Sequence, residues 1–446
     1  MKLTKQTIST VILAFWVVVP AAMAQTVNFT EHKLKNGLRI ILSEDHSAPT
    51  YSISVVYNVG SRDERKGRTG FAHLFEHMMF QGSENVGKGE HFVLIENNGG
   101  GMNGSTNTDR TEYHETLPSN QIDLGLFLES DRMRSLAITQ ANLQNQRETV
   151  KEERRQRYDN QPYGLTFDTL DETAYDSFAY KHSTIGSMED LDAASVKDVA
   201  EFFKAYYAPN NAALTLVGDF KSSEVLNKIE KYFGNIPSQP PPPAPDMSEP
   251  KQTAERRKTI EDPLAQIPRI DIAWKAPPGN TPDWYALFVL GEILSSGQSS
   301  RFYRTLVREK QVVVQEGAGP MERRGPSLFM VDMAVVPGKD LKEVEQLVYD
   351  ELERVKNEPV TDAELQKVRM ALKRGKVEQL EGTLGRAEDL GENAIFYNDP
   401  NVINTASDKL MSVTKEQIQK AARTYLIPTN RTVITTVPKP RAGGAQ

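Results

Sequence analysis

The sequence predicts an α+β protein of two homologous, sandwich-like α/β domains, an internal duplication joined by a proline-rich linker. Three observations predict it. First, the stretch Pro237 to Pro250 contains Pro240-Pro241-Pro242-Pro243 and then Pro245. Such a run favours polyproline II and acts as a stiff spacer of about 3.1 Å per residue. Second, the segments on its two sides repeat each other. Ser195 to Asp198 opens a helix through Phe202, Phe203 and Tyr206 that ends at Ala208-Pro209-Asn210-Asn211, before the strand Ala213 to Val217. Thr414 to Gln417 opens a helix through Ile418, Ala421, Ala422 and Tyr425 that ends at Ile427-Pro428-Thr429-Asn430, before Thr432 to Thr436. Each opening pairs a hydroxyl residue with a side-chain acceptor three positions on, as capping boxes do. Tyr206 and Tyr425, Pro209 and Pro428, and Asn211 and Asn430 are all 219 residues apart, a spacing that duplication explains. Third, strands and helices come in blocks and not in strict βαβ alternation.

The elements follow in chain order. Residues 1–24 read as a cleaved signal peptide: Lys2 and Lys5, an apolar run from Val11 to Val19, Pro20, and Ala22-Met23-Ala24 ahead of Gln25. The apolar run is shorter than the roughly 20 residues that span a bilayer, and no later stretch is long and apolar enough. The sequence thus divides into 1–24, a first domain at 25–236, a linker at 237–252 and a second domain at 253–440. Lys35-Asn36-Gly37 between short apolar runs is a hairpin turn. Tyr51 to Val59, rich in β-branched and aromatic residues, is a strand. Phe71, Leu74, Phe75, Met78, Met79 and Phe80 mark a largely buried helix stopping near Gly82. Gly99-Gly100-Gly101 leads into Asn103-Gly104-Ser105-Thr106-Asn107-Thr108, read either as an ordinary polar turn and strand or as an edge strand that a peptide extends. Gln140 to Asp159 is an acidic helix, Leu328 to Val336 a strand, and Asp340 to Asn357 an amphipathic helix.

Composition narrows the chemistry. With no cysteine among 446 residues, disulfides, thiol nucleophiles and thiolate metal sites are excluded. A formal charge of −7 without a basic stripe argues against nucleic acid as a partner. Any metal must therefore be held by His, Asp or Glu.

His73-Leu74-Phe75-Glu76-His77 is the informative stretch. Two histidines four apart share one helix face, and their imidazoles can converge on one Zn²⁺ at about 2.0–2.1 Å. Glu76 lies beside them as a general base for water attacking a carbonyl. Without a metal, three polar groups in an apolar helix would each need another partner. A catalytic zinc takes three protein ligands. Glu148, Glu152 and Glu153 on the acidic helix are candidates, and spacing alone cannot choose among them. Indeed Glu153 and Arg157 could simply pair at i,i+4. No histidine follows His182, so the second half has no such pair of its own.

The inverted motif, the duplicated halves and the proline linker resemble the pitrilysin/insulinase family of zinc metallopeptidases, in its bacterial branch similar to mitochondrial processing peptidase. The resemblance spans about residues 27 to 440. It implies one zinc ion per chain, with His73 and His77 as ligands and Glu76 as base. It places the third ligand about 76 residues after the second histidine, at Glu153, followed by Arg154-Arg155 as in relatives. Many relatives carry a Glu seven positions before that ligand, where this chain has Gln146. Asn103, Gly104 and Ser105 resemble the family's substrate-binding edge strand. Ser299 to Tyr303 and Leu306 to Lys310 resemble its second-half signature, in which an Arg-Tyr pair seven apart holds substrate. Arg308 matches the Arg, but Gln315 stands where the Tyr belongs.

The resemblance therefore implies a zinc endopeptidase of short or unfolded polypeptides, exported to the periplasm or secreted. It also implies a paired subunit of the same fold, or a homodimer, that completes the substrate site. The alternative is a non-catalytic structural or assembly subunit.

Overall fold

The computed structural model describes residues 26–439, so the expected signal peptide lies outside the described residues. The first half runs β1 (Thr30–Lys33), β2 (Arg39–Glu44), β3 (Thr50–Tyr57), α1 (Phe71–Met78), α2 (Glu90–Asn97), β4 (Gly101–Thr106) and β5 (Thr111–Pro118). It continues through α3 (Ile122–Arg134), α4 (Gln140–Arg154), α5 (Thr166–Ala174), α6 (Met188–Asp192), α7 (Val196–Tyr206), β6 (Ala212–Gly218) and α8 (Ser222–Phe233). The second half has β7 (Arg256–Asp262), β8 (Arg269–Ala276), α9 (Pro282–Ser295), β9 (Val313–Pro320), β10 (Ser327–Val335) and α10 (Leu341–Asn357). It closes with α11 (Asp362–Glu381), α12 (Thr383–Tyr397), α13 (Val402–Ser412), α14 (Lys415–Tyr425) and β11 (Arg431–Pro438).

Two sheets result, ordered β1-β2-β6-β3-β5-β4 and β7-β11-β8-β10-β9. Apart from the extra β1 they are one topology twice, with β2–β6 and β7–β11 as the parallel pairs. The repeat extends to single hydrogen bonds. Asn211 Nδ2 donates to Tyr206 O at 2.8 Å and to Asn58 O at 3.2 Å. Asn430 Nδ2 donates to Tyr425 O and to Lys275 O, both at 2.8 Å. Both expected capping boxes form, at Ser195/Asp198 and Thr414/Gln417.

Sequence order does not predict how the halves are covered. α12 of the second half packs on β3 and β6, while α5 of the first half packs on β7, β8 and β11. Each sheet thus borrows a helix from the other half. Leu380, Ala387 and Leu390 join Ile41, Ala213 and Val217 in one apolar cluster, and Leu170 and Ala174 join Ala273, Leu328 and Ile434 in another. Division at 237–252 separates the sheets but not the helices that cover them. The linker is pinned to both halves: Glu249, on its C-terminal stretch, accepts from Asp176 N and Ser177 N at 2.9 and 3.0 Å and binds Lys275 Nζ at 2.5 Å.

Two helix ends differ from expectation. α1 stops at Met78, not near Gly82. Phe80 N donates to His77 O and Gln81 N to Met78 O, a tightened last turn, and Gly82, at φ +99°, redirects the chain. The acidic helix is α-helical only to Arg154 and then widens into a π-turn at Arg155–Asp159.

Candidate metal centre

α1 starts where two backbones touch. Gly70 and Gly186 both have positive φ, and a Cβ on Gly70 would sit 2.5 Å from Ile185 O. Phe71, Leu74, Phe75 and Met78 are buried in the first-half core, so the remaining face of this short helix presents His73 and His77. Their rings lie 4.8 Å apart, centroid to centroid. α4 packs on α1 and, at its last turn, brings in Glu153. Glu153 Oε2 is 3.2 Å from His77 Nε2 and 3.6 Å from His73 Nε2. The choice among the three glutamates is thereby made by packing. Glu148 and Glu152 point to solvent beside Lys151 and Arg155. Glu153 also keeps the pairing that spacing suggested, through Oε1 to Arg157 at 2.9 Å.

The donor set fits a zinc ion. Tetrahedral ligands at the usual zinc distances are about 3.3 Å apart, close to the two carboxylate–imidazole separations. All three donors lie within 4.8 Å of one another. Burial, with the neighbouring His77, pushes His73 down to about 4, so its imidazole is the neutral form that a metal requires. The hydrogen bond with His77 holds the Glu153 carboxyl below its ordinary range. On its other side His77 Nδ1 faces Gln146 Oε1 at 3.3 Å. Gln146 therefore occupies the position of the expected carboxylate and supplies a neutral acceptor.

Glu76 is buried against β4, where Thr106 Oγ1 donates to its Oε2 at 2.6 Å. Burial raises its pKa and the Thr106 bond opposes the rise. Thr106 was not singled out in the sequence, although strand alternation already puts it on the face opposite Ser105. β4 is an edge strand, as one reading of the glycine-rich stretch expected. Gly104 lies over Tyr113, on the α1 side of the sheet. Asn103 and Ser105 pair with His114 and Glu112, residues that meet Glu388 of α12, so their side chains point to the face away from the donors. Any approach of these residues to a peptide beside the metal site is through the main chain.

Arg308 is not brought to this site. It is exposed in the π-turn Tyr303–Glu309, and Gln315 is exposed on edge strand β9. A cavity of about 450 Å³ opens beside His73 and Glu153. Its second-half wall is Met321, Glu322, Arg323 and Met330, from the β9–β10 connection and β10. Within this chain the hairpin loop, and not the turn that carries Arg308, reaches the cleft. No sequence signal marked that loop.

Among the described residues, two other clusters combine His with carboxylates, His91/Glu115/Glu129 and Glu112/His114/Glu388. In both, the imidazole already has a carboxyl partner: His91 Nε2 lies 2.5 Å from Glu115, and His114 Nδ1 lies 3.0 Å from Glu388.

Comparison with known proteins agrees with this architecture. Residues 39–187 match the family described as insulinase, peptidase family M16, and residues 193–372 match the peptidase M16 inactive domain. The fold and these matches define a peptidase-type protein. The chain belongs to peptidase family M16, the pitrilysin/insulinase family. It is 28% identical over 404 residues to the zinc protease PqqE of Helicobacter pylori, covering 90% of this chain and 91% of that protein. A crystal structure of a protease from Helicobacter pylori superposes with a TM-score of 0.89 at 28% identity, over 93% of this chain and all of that one. A probable mitochondrial-processing peptidase subunit beta of Arabidopsis thaliana is 24% identical over 407 residues, 88% of this chain and 75% of that protein. The first half of the periplasmic protease PqqL of Escherichia coli shares the fold at a TM-score of 0.74 and 17% identity, with 93% of each chain covered. No helix among the described residues is long and apolar enough to cross a membrane.

Proposed function

We propose that this chain is a zinc-dependent endopeptidase that hydrolyses short or unfolded polypeptides. The observation that carries the reading is the convergence of His73, His77 and Glu153 on one point, beside a buried Glu76 at the exposed sheet edge β4. His73 Nε2, His77 Nε2 and Glu153 Oε2 would hold the ion. Zinc, when bound, supplies Lewis acidity toward the scissile carbonyl and acidifies water. Glu76, anchored through Oε2 by Thr106, takes a proton from the attacking water at Oε1 and returns it to the leaving amine. The edge position of β4, which carries Asn103, Gly104 and Ser105, lets an extended peptide add its main chain to the sheet, which selects chains without their own fold.

The domain division at 25–236 and 253–440 belongs to the same proposal. So does work with a second subunit of the same fold, or a second copy, because Gln315 interrupts the expected Arg-Tyr pair. Relatives named as beta subunits support that part. Export to the periplasm is proposed from the pattern at residues 1–24. The inactive-domain match, which begins at residue 193 in the first half and runs to residue 372 in the second, favours a non-catalytic assembly role, whereas the complete donor set in the first half supports catalysis.

The test is cleavage of a mixed peptide library by the purified chain, read by mass spectrometry. Cleavage that chelation abolishes, that zinc restores and that Glu76→Gln lacks supports the enzyme. A folded, zinc-loaded chain that cleaves nothing, alone or co-expressed with another family member, refutes it.

A further inference from the structure

We infer that Glu64 is a positioning residue for the metal centre. It caps helix α1 from outside and is itself held by His182. The inference rests on the zinc reading above.

A helix start leaves its first backbone N–H groups without intrahelical partners, and a side chain at the N-cap usually satisfies one. Here the N-cap is Gly70, which has no side chain and cannot gain one, since a Cβ would strike Ile185 O. Glu64 replaces the missing cap. Its Oε2 accepts from Gly70 N at 2.9 Å and its Oε1 from Ala72 N at 2.7 Å. A carboxylate there also opposes the positive end of the helix dipole. Ala72 directly precedes His73, so the two bonds set where the first metal donor stands.

Glu64 is fully buried, and an unpaired carboxylate would be costly at that depth. His182 supplies the partner, with Nε2 at 3.0 Å from Glu64 Oε2. Its ring stacks on Phe178 at 4.3 Å between centroids, Nδ1 donates to Phe178 O, and Nε2 also lies 2.9 Å from Ser61 O. The turn Ser61–Asp63 continues the connection. Arg62 binds Asp109 at 2.8 Å, and Asp109 accepts from Tyr180 OH and from Arg324 N of the second half. Asp109 closes the loop from β4, which carries Thr106. One buried chain of contacts therefore fixes the metal-bearing helix, the strand that holds Glu76 and the second-half loop relative to one another.

The test measures zinc affinity of the full chain by competition with a chromophoric chelator, alongside circular dichroism and thermal unfolding of the metal-free forms. Loss of an outer partner of a metal site costs about ten- to hundredfold in affinity. Glu64→Gln, with one acceptor oxygen in place of two, should lose that much. His182→Gln, which leaves both α1 bonds in place, should lose severalfold and carries the test if Glu64→Gln does not fold. Glu351→Gln, which breaks a similarly buried pair with Arg301 in the second half, should lower the unfolding temperature with zinc affinity within about twofold of wild type. Folded Glu64 and His182 variants with unchanged affinity overturn the inference alone. A wild-type chain that binds no zinc overturns the metal-centre reading and the inference with it.

Discussion

Gln146→Glu should tighten zinc binding about tenfold. Gln146 is only 7% exposed, and its Oε1 stands 3.3 Å from His77 Nδ1, at the long end for a hydrogen bond. A carboxylate acceptor shortens such a bond to about 2.7–2.9 Å. It also raises its net worth from about 1 kcal/mol to about 1.5–3 kcal/mol. The gain of roughly 1.4 kcal/mol corresponds to a factor of ten in affinity. Charge works in the same direction. The metal-free site already holds the carboxyl groups of Glu76 and Glu153, so a further carboxylate is disfavoured there and favoured once a dication is present. The substitution gives up the bond from Gln146 Nε2 to Asn145 Oδ1, but that oxygen keeps Lys88 Nζ at 3.1 Å. The assay is chelator competition on folded protein at neutral pH. Affinity equal to or weaker than wild type refutes the claim that Gln146 orients His77 as a metal ligand.

Thr106→Val removes the donor to Glu76 and should lower kcat for peptide cleavage about tenfold, the worth of a hydrogen bond to a charged group. Zinc affinity should not change, and an unaltered kcat would sever Thr106 from the mechanism. Glu115 and Glu129, pushed up to about 7 by burial, bind protons more tightly folded than unfolded. Stability should therefore fall as pH rises from about 4.5 to about 7 and level off above that window. Urea unfolding of metal-free protein at about pH 5 and about pH 8 should show this fall reduced in Glu115→Gln, and an identical fall contradicts the assignment. Asn211→Ala and Asn430→Ala each remove two donations to backbone carbonyls at equivalent places in the repeat, so each should cost about 1–3 kcal/mol in urea unfolding. A large loss in one and none in the other contradicts the equivalence of the halves.

Much of the fold was legible because its signals are local. The Asn36-Gly37 turn closes the β1–β2 hairpin with Lys33 opposite Arg39. The β-branched stretch after Tyr51 is β3, and Asp340 caps α10. The repeat at a spacing of 219 residues is visible in sequence because the same caps and the same asparagines serve the same turns. The helix exchange left no such mark. α5 and α12 are amphipathic whichever sheet they cover, so their sequences do not name the partner. For the same reason Arg308 matched a motif in sequence yet sits exposed, while the unmarked loop containing Arg323 lines the cleft.

The sequence by itself determined the chemistry of the motif. Helical periodicity places His73 and His77 on one face wherever the helix lies, and the absence of cysteine leaves only nitrogen and oxygen donors. Tertiary structure decided what a local rule cannot reach. It turned Glu153 rather than Glu148 or Glu152 toward the imidazoles, because that choice depends on how α4 packs against α1. It set Thr106 against Glu76 and turned Asn103 and Ser105 away, because alternation gives two faces but packing decides which one meets the metal site. And it brought His182, 118 residues from Glu64, to the start of α1, because a glycine that admits no side chain leaves its cap to a buried carboxylate six residues upstream, which needs a partner of its own.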